Sequence, residues 1–397
     1  MHCVRTVTDN LYWVGANDHR LTLFENIHPI PQGVSYNAYL LLDEKSVLFD
    51  TVDWSACRQL LENLSYLLGE KPLDYLVINH MEPDHCALMQ DLVLRYPDVK
   101  IVCNKKTLAM IENFFTFDIQ SRAVIVGEMD TLCTGRHTFA FVMAPMVHWP
   151  EAMVSYDVTT KTLYSADAFG TFGALNGNLY ADEVNFQTEW LDDARRYYTN
   201  IVGKYGTQVQ ALLKKAATLD IQTICPLHGP ILKENLGYYI GKYMTWSSYE
   251  PEDDGVLVAY ASIHGNTKKA AEKMKEILEA KGAKKVAITD LSRDDMAEAI
   301  EDAFRYDKLV LAAASYDASV FPCMETFLNK LTNKNYQNRK IAIIENGSWA
   351  PTAARVMKSY VEKMKKITLC EKTVTIKSAM KDADVTAMEE LADELLA

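Results

Sequence analysis

The chain has 397 residues, 49% of them hydrophobic and 24% charged, a composition that can bury sizeable cores and excludes intrinsic disorder. At roughly 150 residues per domain it has room for two or three. Its 41 Lys and Arg against 53 Asp and Glu leave a net charge of −12, which opposes approach to nucleic acid or an anionic membrane face, and no dense basic patch offsets it.

Residues 1–10 (MHCVRTVTDN) lack the apolar segment of a signal peptide, and no apolar run approaches the ~20 residues of a membrane span. A cytoplasmic protein with neither nucleic acid nor membrane as partner is the expectation. Residues 1–245 open with short strand-like runs at 11–14, 36–42 and 46–50, and continue as strands and helices in mixed order, which reads as an α/β sandwich. Four apolar runs there end in a ligand-type residue: LDYLVINH at His80, FAFVMAPMVH at His148, KTLYSAD at Asp167 and IQTICPLH at His228. Loops leaving the strand ends of a layered sheet converge on one crevice, so these four residues are expected to meet.

The sharpest composition shift lies at 245–255 (TWSSYEPEDDG), which predicts two domains, 1–250 and 251–397. Beyond it, strand-like runs at 255–261, 285–291, 308–315, 340–345 and 373–377 alternate with helical stretches at 266–281, 294–306, 323–334, 351–365 and 384–396. The strand runs are apolar on both faces, the signature of a doubly wound parallel sheet covered by helices. The eight cysteines are scattered and form no C-x-x-C pair, which favours reduced, buried thiols over a structural zinc, a rubredoxin-type iron or a redox disulfide.

The segment 79–85 reads N-H-M-E-P-D-H and packs His80, Glu82, Asp84 and His85 into six residues. Alternate residues of an extended loop project to one side, so the first three can face one cavity, while His85 turns in at a helix start after Pro83. A lone buried histidine is more often core than ligand, and Asp84 alone could cap a helix. Four such residues in one loop reverse that balance. With His148, Asp167 and His228 the set holds four imidazoles and three carboxylates, too many for one four-coordinate zinc and suited to two metals sharing a carboxylate. Two divalent ions, three carboxylates and a bridging hydroxide sum to a neutral cluster. Without a thiolate, the donors suit iron or manganese as well as zinc.

A second constellation follows the first strand of the C-terminal half. Ser262, Ile263, His264, Gly265, Asn266 and Thr267 form a loop between strand and helix whose hydroxyls, amide and free helix N–H groups can surround a phosphate. The loop is neither a Walker motif nor G-x-G-x-x-G, which disfavours ATP and NAD. The loops at 315–319 (Ser315, Tyr316, Asp317, Ala318, Ser319) and 346–350 (Asn346, Gly347, Ser348, Trp349, Ala350) open on the same sheet edge. Tyr316 and Trp349 there could flank a planar ring.

These residues resemble a known family. H-x-E-x-D-H followed by distant His, Asp and His looks like the metallo-β-lactamase-fold core of the flavodiiron proteins, where Glu82 stands in place of a histidine usual in hydrolytic zinc relatives. His148-Trp149-Pro150-Glu151 matches the family's pattern around its third histidine. The C-terminal half resembles a short-chain flavodoxin, although its second loop reads S-Y-D-A-S where relatives often have S-P-T and an aromatic. The resemblance implies an αββα metallo-β-lactamase-like sandwich followed by a flavodoxin-like domain, with catalysis at two iron ions. His80, Glu82 and His148 would bind one iron, Asp84, His85 and His228 the other, and Asp167 would bridge them. It also implies FMN held by the three loops, Trp349 stacked on its ring, and reduction of O2 to water, of NO to N2O, or of both. A head-to-tail homodimer or a tetramer is expected, and, with no C-x-x-C pair, an external electron donor such as a rubredoxin or a reduced deazaflavin. The competing reading is a dinuclear zinc hydrolase with an accessory nucleotide-binding domain. His2, His19, His28 and His137 are assigned no role.

Overall fold

The computed structural model describes residues 2–397 and divides into two compact units, the first ending at Met244 and the second running Thr245–Ala397. The division falls inside the last turn of the helix Leu236–Ser247, a few residues before the composition shift peaks. Residues 245–250 side with the second unit because they bond to it: the Trp246 indole N–H donates to Glu252 at 2.7 Å, and the buried Arg339 guanidinium donates to the Tyr249 carbonyl at 2.8 Å.

The first unit is a sandwich of two mixed sheets. One runs in spatial order Arg5–Thr6, Leu11–Trp13, Tyr39–Leu42, Ser46–Phe49, Tyr75–Val77, Lys100–Cys103, Ala123–Ile125, antiparallel up to Ser46–Phe49 and parallel after it. The other runs Thr131–Cys133, Thr138–Met143, Met153–Asp157, Thr162–Tyr164, Thr223–Cys225, and only its last pair is parallel. The inner faces meet in an aromatic core in which Phe49 stacks on Tyr164 with centroids 3.9 Å apart and meets Phe139 at 5.0 Å. Burial of these rings fixes which strand ends point to the same edge.

The expected run 36–42 is split here into Val34–Tyr36 and Tyr39–Leu42. Asn37 causes the break. Its side chain accepts the Trp13 indole N–H at 2.8 Å and donates to the carbonyls of Pro226 and Gly229 at 2.9 and 2.8 Å, so it serves the loop that carries His228 rather than a ladder.

The second unit is a five-stranded parallel sheet in spatial order Val286–Asp290, Asp253–Ala261, Tyr306–Tyr316, Gln337–Asn346, Lys365–Ile376. Alternation along one strand builds two cores: Leu257, Ala259 and Ala261 face one helical layer, while Val256, Val258 and Tyr260 face the other. Strand order reverses at Asp253–Ala261, and a ligand crevice belongs outside the carboxyl ends of the strands at that point. The structure departs from expectation at 351–365, where the helix is confined to Ala353–Val361 and a long strand already begins at Lys365. That strand lies at the sheet edge and alternates Lys and Thr with Ile367, Leu369 and Val374, so it lacks the continuous apolar run of the central strands. A short hairpin strand, Ser319–Val320, was also not expected.

Candidate functional site

Each of the four ligand-type residues at a strand end stands a few positions past its strand. His80 follows Tyr75–Val77, His148 follows Thr138–Met143, Asp167 follows Thr162–Tyr164, and His228 follows Thr223–Cys225. The loop 79–85 is tied in place by Asp50 and Thr51. Asp50 accepts from the Asn79 N–H at 2.7 Å and from the Asn79 amide at 2.8 Å, and Thr51 donates to the His85 carbonyl from its N–H and its hydroxyl at 2.7 and 2.9 Å. Gly229, with φ of +78°, carries the chain past Thr171 directly after His228; a Cβ there would lie 2.0 Å from the Thr171 methyl carbon.

All seven residues singled out for metal converge. Their donor atoms form two groups, His80, Glu82, His148 and Asp167 in one and Asp84, His85 and His228 in the other. Asp167 reaches both: its Oδ2 lies 3.0 Å from His148 Nε2 and 3.3 Å from His80 Nε2, while its Oδ1 lies 3.2 Å from His85 Nε2 and 3.7 Å from His228 Nε2. Glu82 Oε2 is 3.0 Å from His148 Nε2, and His85 Nε2 is 3.0 Å from His228 Nε2. Both oxygens of Asp84 are buried without a hydrogen bond. Buried acceptors without donors, and imidazole nitrogens aimed at one another, are the arrangement that cations complete, so the donor set fits two metal ions.

The electrostatics have the same origin. Burial works against protonating His80, yet the Asp167 charge and hydrogen bonds to Asp167, Glu151 and Glu82 carry it well above its ordinary value. Burial likewise opposes His148, but its bonds to Asp167 and Glu82 push it up to about 9. Against burial, the His85 and His80 charges hold Asp167 well below the usual carboxylate range. Without metal, protons on the histidines offset the carboxylates.

Some neighbours of this site stand outside the seven expected ligands. Glu151 is buried and receives His80 Nδ1–H at 2.9 Å. Tyr197 is fully buried with its ring 5.5 Å from that of His228, and its hydroxyl has no hydrogen-bond partner among the described residues. Glu25 is pushed up to about 7 by burial and then by the Glu82 charge. His28 is buried and lies 3.7 Å from Glu25. Tyr197 and Glu25 sit in segments with no local ligand pattern, so only the fold brings them here.

In the second unit, a cavity of about 540 Å³ opens at the switch point. It is lined by Ser262, His264, Asn266 and Thr267, by Ser315, Tyr316, Asp317 and Ala318, and by Asn346, Gly347, Ser348 and Trp349, with Ile263, Ala314, Ala350, Thr352 and Ser378 in addition. Gly265 does not line it. Its N–H donates to Ser262 Oγ at 3.1 Å, and its φ of +88° makes the turn into the helix Asn266–Ala280, whose first N–H groups have no side-chain cap. Ser315 Oγ is engaged too, accepting from the N–H groups of Thr352 and Ala353 at 2.8 and 3.2 Å. Trp349 is 90% exposed and Tyr316 43%, so neither is core packing.

Comparison with known proteins separates the same two halves. Residues 34–229 match the ODP family beta lactamase model and residues 257–375 a flavodoxin domain model. The rubredoxin oxygen:oxidoreductase of Desulfovibrio gigas superposes over 99% of this chain and 98% of its own with a TM-score of 0.93 at 26% identity. The chain belongs to the flavodiiron proteins. A flavodiiron protein variant from Thermotoga maritima aligns over 100% of this chain and 99% of its own, with 25% identity and a TM-score of 0.89. The anaerobic nitric oxide reductase flavorubredoxin of Vibrio vulnificus is 28% identical over 86% of this chain and 70% of its own length. As a flavodiiron protein the chain is an oxidoreductase whose cofactors are a diiron centre and FMN. Among the described residues no helix is long and apolar enough to cross a membrane.

Proposed function

We propose that this flavodiiron protein reduces O2 to water, NO to N2O, or both, with electrons reaching the diiron site through FMN from an external donor. One observation carries the reading: the two oxygens of Asp167 face two separate sets of histidine and carboxylate donors. His80, Glu82 and His148 would hold one iron and Asp84, His85 and His228 the other, with one oxygen of Asp167 turned toward each set. With both cofactors bound and reduced, the iron pair supplies two electrons and FMN two more, which matches the four needed for O2 and exceeds the two needed for a pair of NO molecules.

The protein's own part is to hold, shield and orient. Phe24 stands edge-on to His228 at 5.3 Å and to Phe172 at 5.4 Å, and Tyr197 meets Phe172 at 5.1 Å, so an aromatic wall covers the His228 side of the pocket. Such a wall excludes water while admitting a small apolar gas. Burial, then the charges of Asp167, Glu82 and Asp84, keep the Tyr197 phenol protonated. In the second unit, the open N–H groups at the start of Asn266–Ala280 and the hydroxyls of Ser262 and Thr267 would take the FMN phosphate, and Tyr316 and Trp349, which line the same cavity, would meet its ring.

The names of the relatives supply both gases and a rubredoxin donor. A rubredoxin-like protein or a reduced deazaflavin is the donor class proposed here, acting on a head-to-tail homodimer or a tetramer in the cytoplasm. The test is metal analysis with an absorption spectrum, followed by anaerobic titration of the reduced protein with O2 and with NO. Two irons and one FMN per chain, with rapid reoxidation by either gas, support the reading. Zinc without flavin bands would sink it in favour of a hydrolase.

A further inference from the structure

Four imidazoles face the metal pocket, and what stands behind them is not the same. His80 Nδ1 is 2.9 Å from Glu151 Oε1, and the same oxygen accepts the Met81 N–H at 2.8 Å. His228 Nδ1 donates to a neutral acceptor, the Ser35 carbonyl, at 2.8 Å. His85 Nδ1 is buried with no hydrogen-bond partner among the described residues. Glu151 is itself anchored from outside. Asn104 accepts from the N–H groups of Lys106 and Thr107 to cap the helix Lys105–Phe114, and donates from its amide to the Glu151 carbonyl at 2.6 Å. The Glu151 side chain is fully buried, and its Oε2 has no partner, so the carboxylate is committed to His80 and Met81.

A metal-bound histidine becomes a stronger donor when its other N–H is given to a carboxylate, and a weaker effect follows from a carbonyl. A buried negative charge also acts with little screening on whatever stands beyond the ring. Both effects favour the higher oxidation state of a bound iron. They fall on one group only, because His80 belongs with Glu82 and His148, whereas His85 and His228 belong with Asp84.

We propose that Glu151 is a positioning residue that makes the two irons unequal: it fixes His80 with Nε2 toward the pocket and makes the iron held by His80, Glu82 and His148 the first to be oxidised. The step is the loss of one electron, Fe(II) to Fe(III), with the electron taken by the titrating oxidant. The inference rests on the ligand assignment proposed above.

The experiment is a redox titration of the iron-loaded holoprotein, followed by electron paramagnetic resonance and Mössbauer spectroscopy, on the wild type and on Glu151→Gln. The glutamine keeps the acceptor for His80 and Met81 and removes the charge. The expected result is two irons per chain, an upward shift of the lower iron potential, a narrower gap to the higher one, and unmoved flavin potentials. Loss of one iron with retention of the other also supports the inference. Iron potentials that stay in place or move together overturn it, as does loss of both irons from a folded chain. If Glu151→Gln does not fold, Glu151→Asp draws the charge back from His80 by one methylene; an unmoved lower potential there overturns the inference. Failure of the ligand assignment reads differently, as a wild type that does not hold two irons.

Discussion

His85 and His228 point their Nε2 atoms at one another across 3.0 Å, although they come from segments 143 positions apart. Two imidazoles at that separation cannot both carry a proton on the facing nitrogen; they share one, or they share a metal. On the other side of Asp167, His148 is pushed up to about 9 by its bonds to Asp167 and Glu82. Metal ligation needs these nitrogens free. Adding Fe(II) anaerobically to apoprotein at pH 7 in weak buffer is therefore expected to release protons, read with a pH-stat, and the release will fall away as the starting pH passes 9. Release that does not change with pH would contradict the protonated apo site.

The same shift sets a stability window. His148 has a folded value raised above its ordinary 6.5, so its contribution to apoprotein stability is complete below about 6.5 and is lost as pH rises through 9. Thermal denaturation of apoprotein will show a falling midpoint across that window, and the iron-loaded protein, in which His148 is held neutral, will show a smaller fall.

His228→Asn removes a donor from the Asp84 group while leaving the fold of the second unit untouched. Since even partners behind a metal ligand are worth roughly 10–100-fold in affinity or activity, loss of the ligand itself will lower turnover with O2 and NO by about 100-fold or more. Iron content will fall, and FMN content will stay at one per chain. Full iron with unchanged turnover would remove His228 from the ligand set.

How much of this was legible in the sequence differs between the halves and between scales. The doubly wound unit was readable because its central strands are apolar on both faces, as VLVAY and IAIIE show. Its edge strand was not, since Lys365–Ile376 is half polar and its first residues extend a helical pattern. The ligand-type residues stood out because four of them share one loop, a local signal that needs no tertiary information. Asn37 and Tyr197 gave no such signal, and Glu151 stood out only as the end of His148-Trp149-Pro150-Glu151, with nothing to pair it with His80. Asn37 acts on the His228 loop and Glu151 on His80, each a partner remote in sequence, and a pairing of that kind exists only after folding.

Trp349 offers a test on the flavin side. It is 90% exposed at the rim of the cavity, so truncating it removes little core packing. A stacked aromatic pair is worth about 0.5–1.5 kcal/mol beyond area burial, which is up to about tenfold in affinity. Trp349→Ala is expected to weaken FMN binding by that order, measured by fluorescence titration of apoflavoprotein, with iron content and thermal stability unchanged. An unaltered FMN affinity would place Trp349 outside the flavin site.

Asn37 connects the fold to the site, and its replacement separates packing from ligation. In Asn37→Ala the buried Trp13 indole N–H and the Gly229 carbonyl lose their partner and the Pro226 carbonyl loses one of two, and an orphaned buried polar group costs about 1–3 kcal/mol. Partial relaxation and water entry reduce the sum, so the expected loss is about 2–3 kcal/mol in denaturant unfolding of the apoprotein. The backbone bond from Asn37 N–H to the Leu227 carbonyl, 2.8 Å, is retained, and the Tyr39 hydroxyl still donates to the Pro226 carbonyl at 2.9 Å. The loop will therefore loosen around Gly229 rather than detach. Since His228 directly follows the two retained anchors and its Nδ1 still donates to the Ser35 carbonyl, iron affinity will fall less than in His228→Asn while stability falls more. A variant that loses iron as fully as His228→Asn, with little loss of stability, would show Asn37 acting on the metal directly and not through the loop.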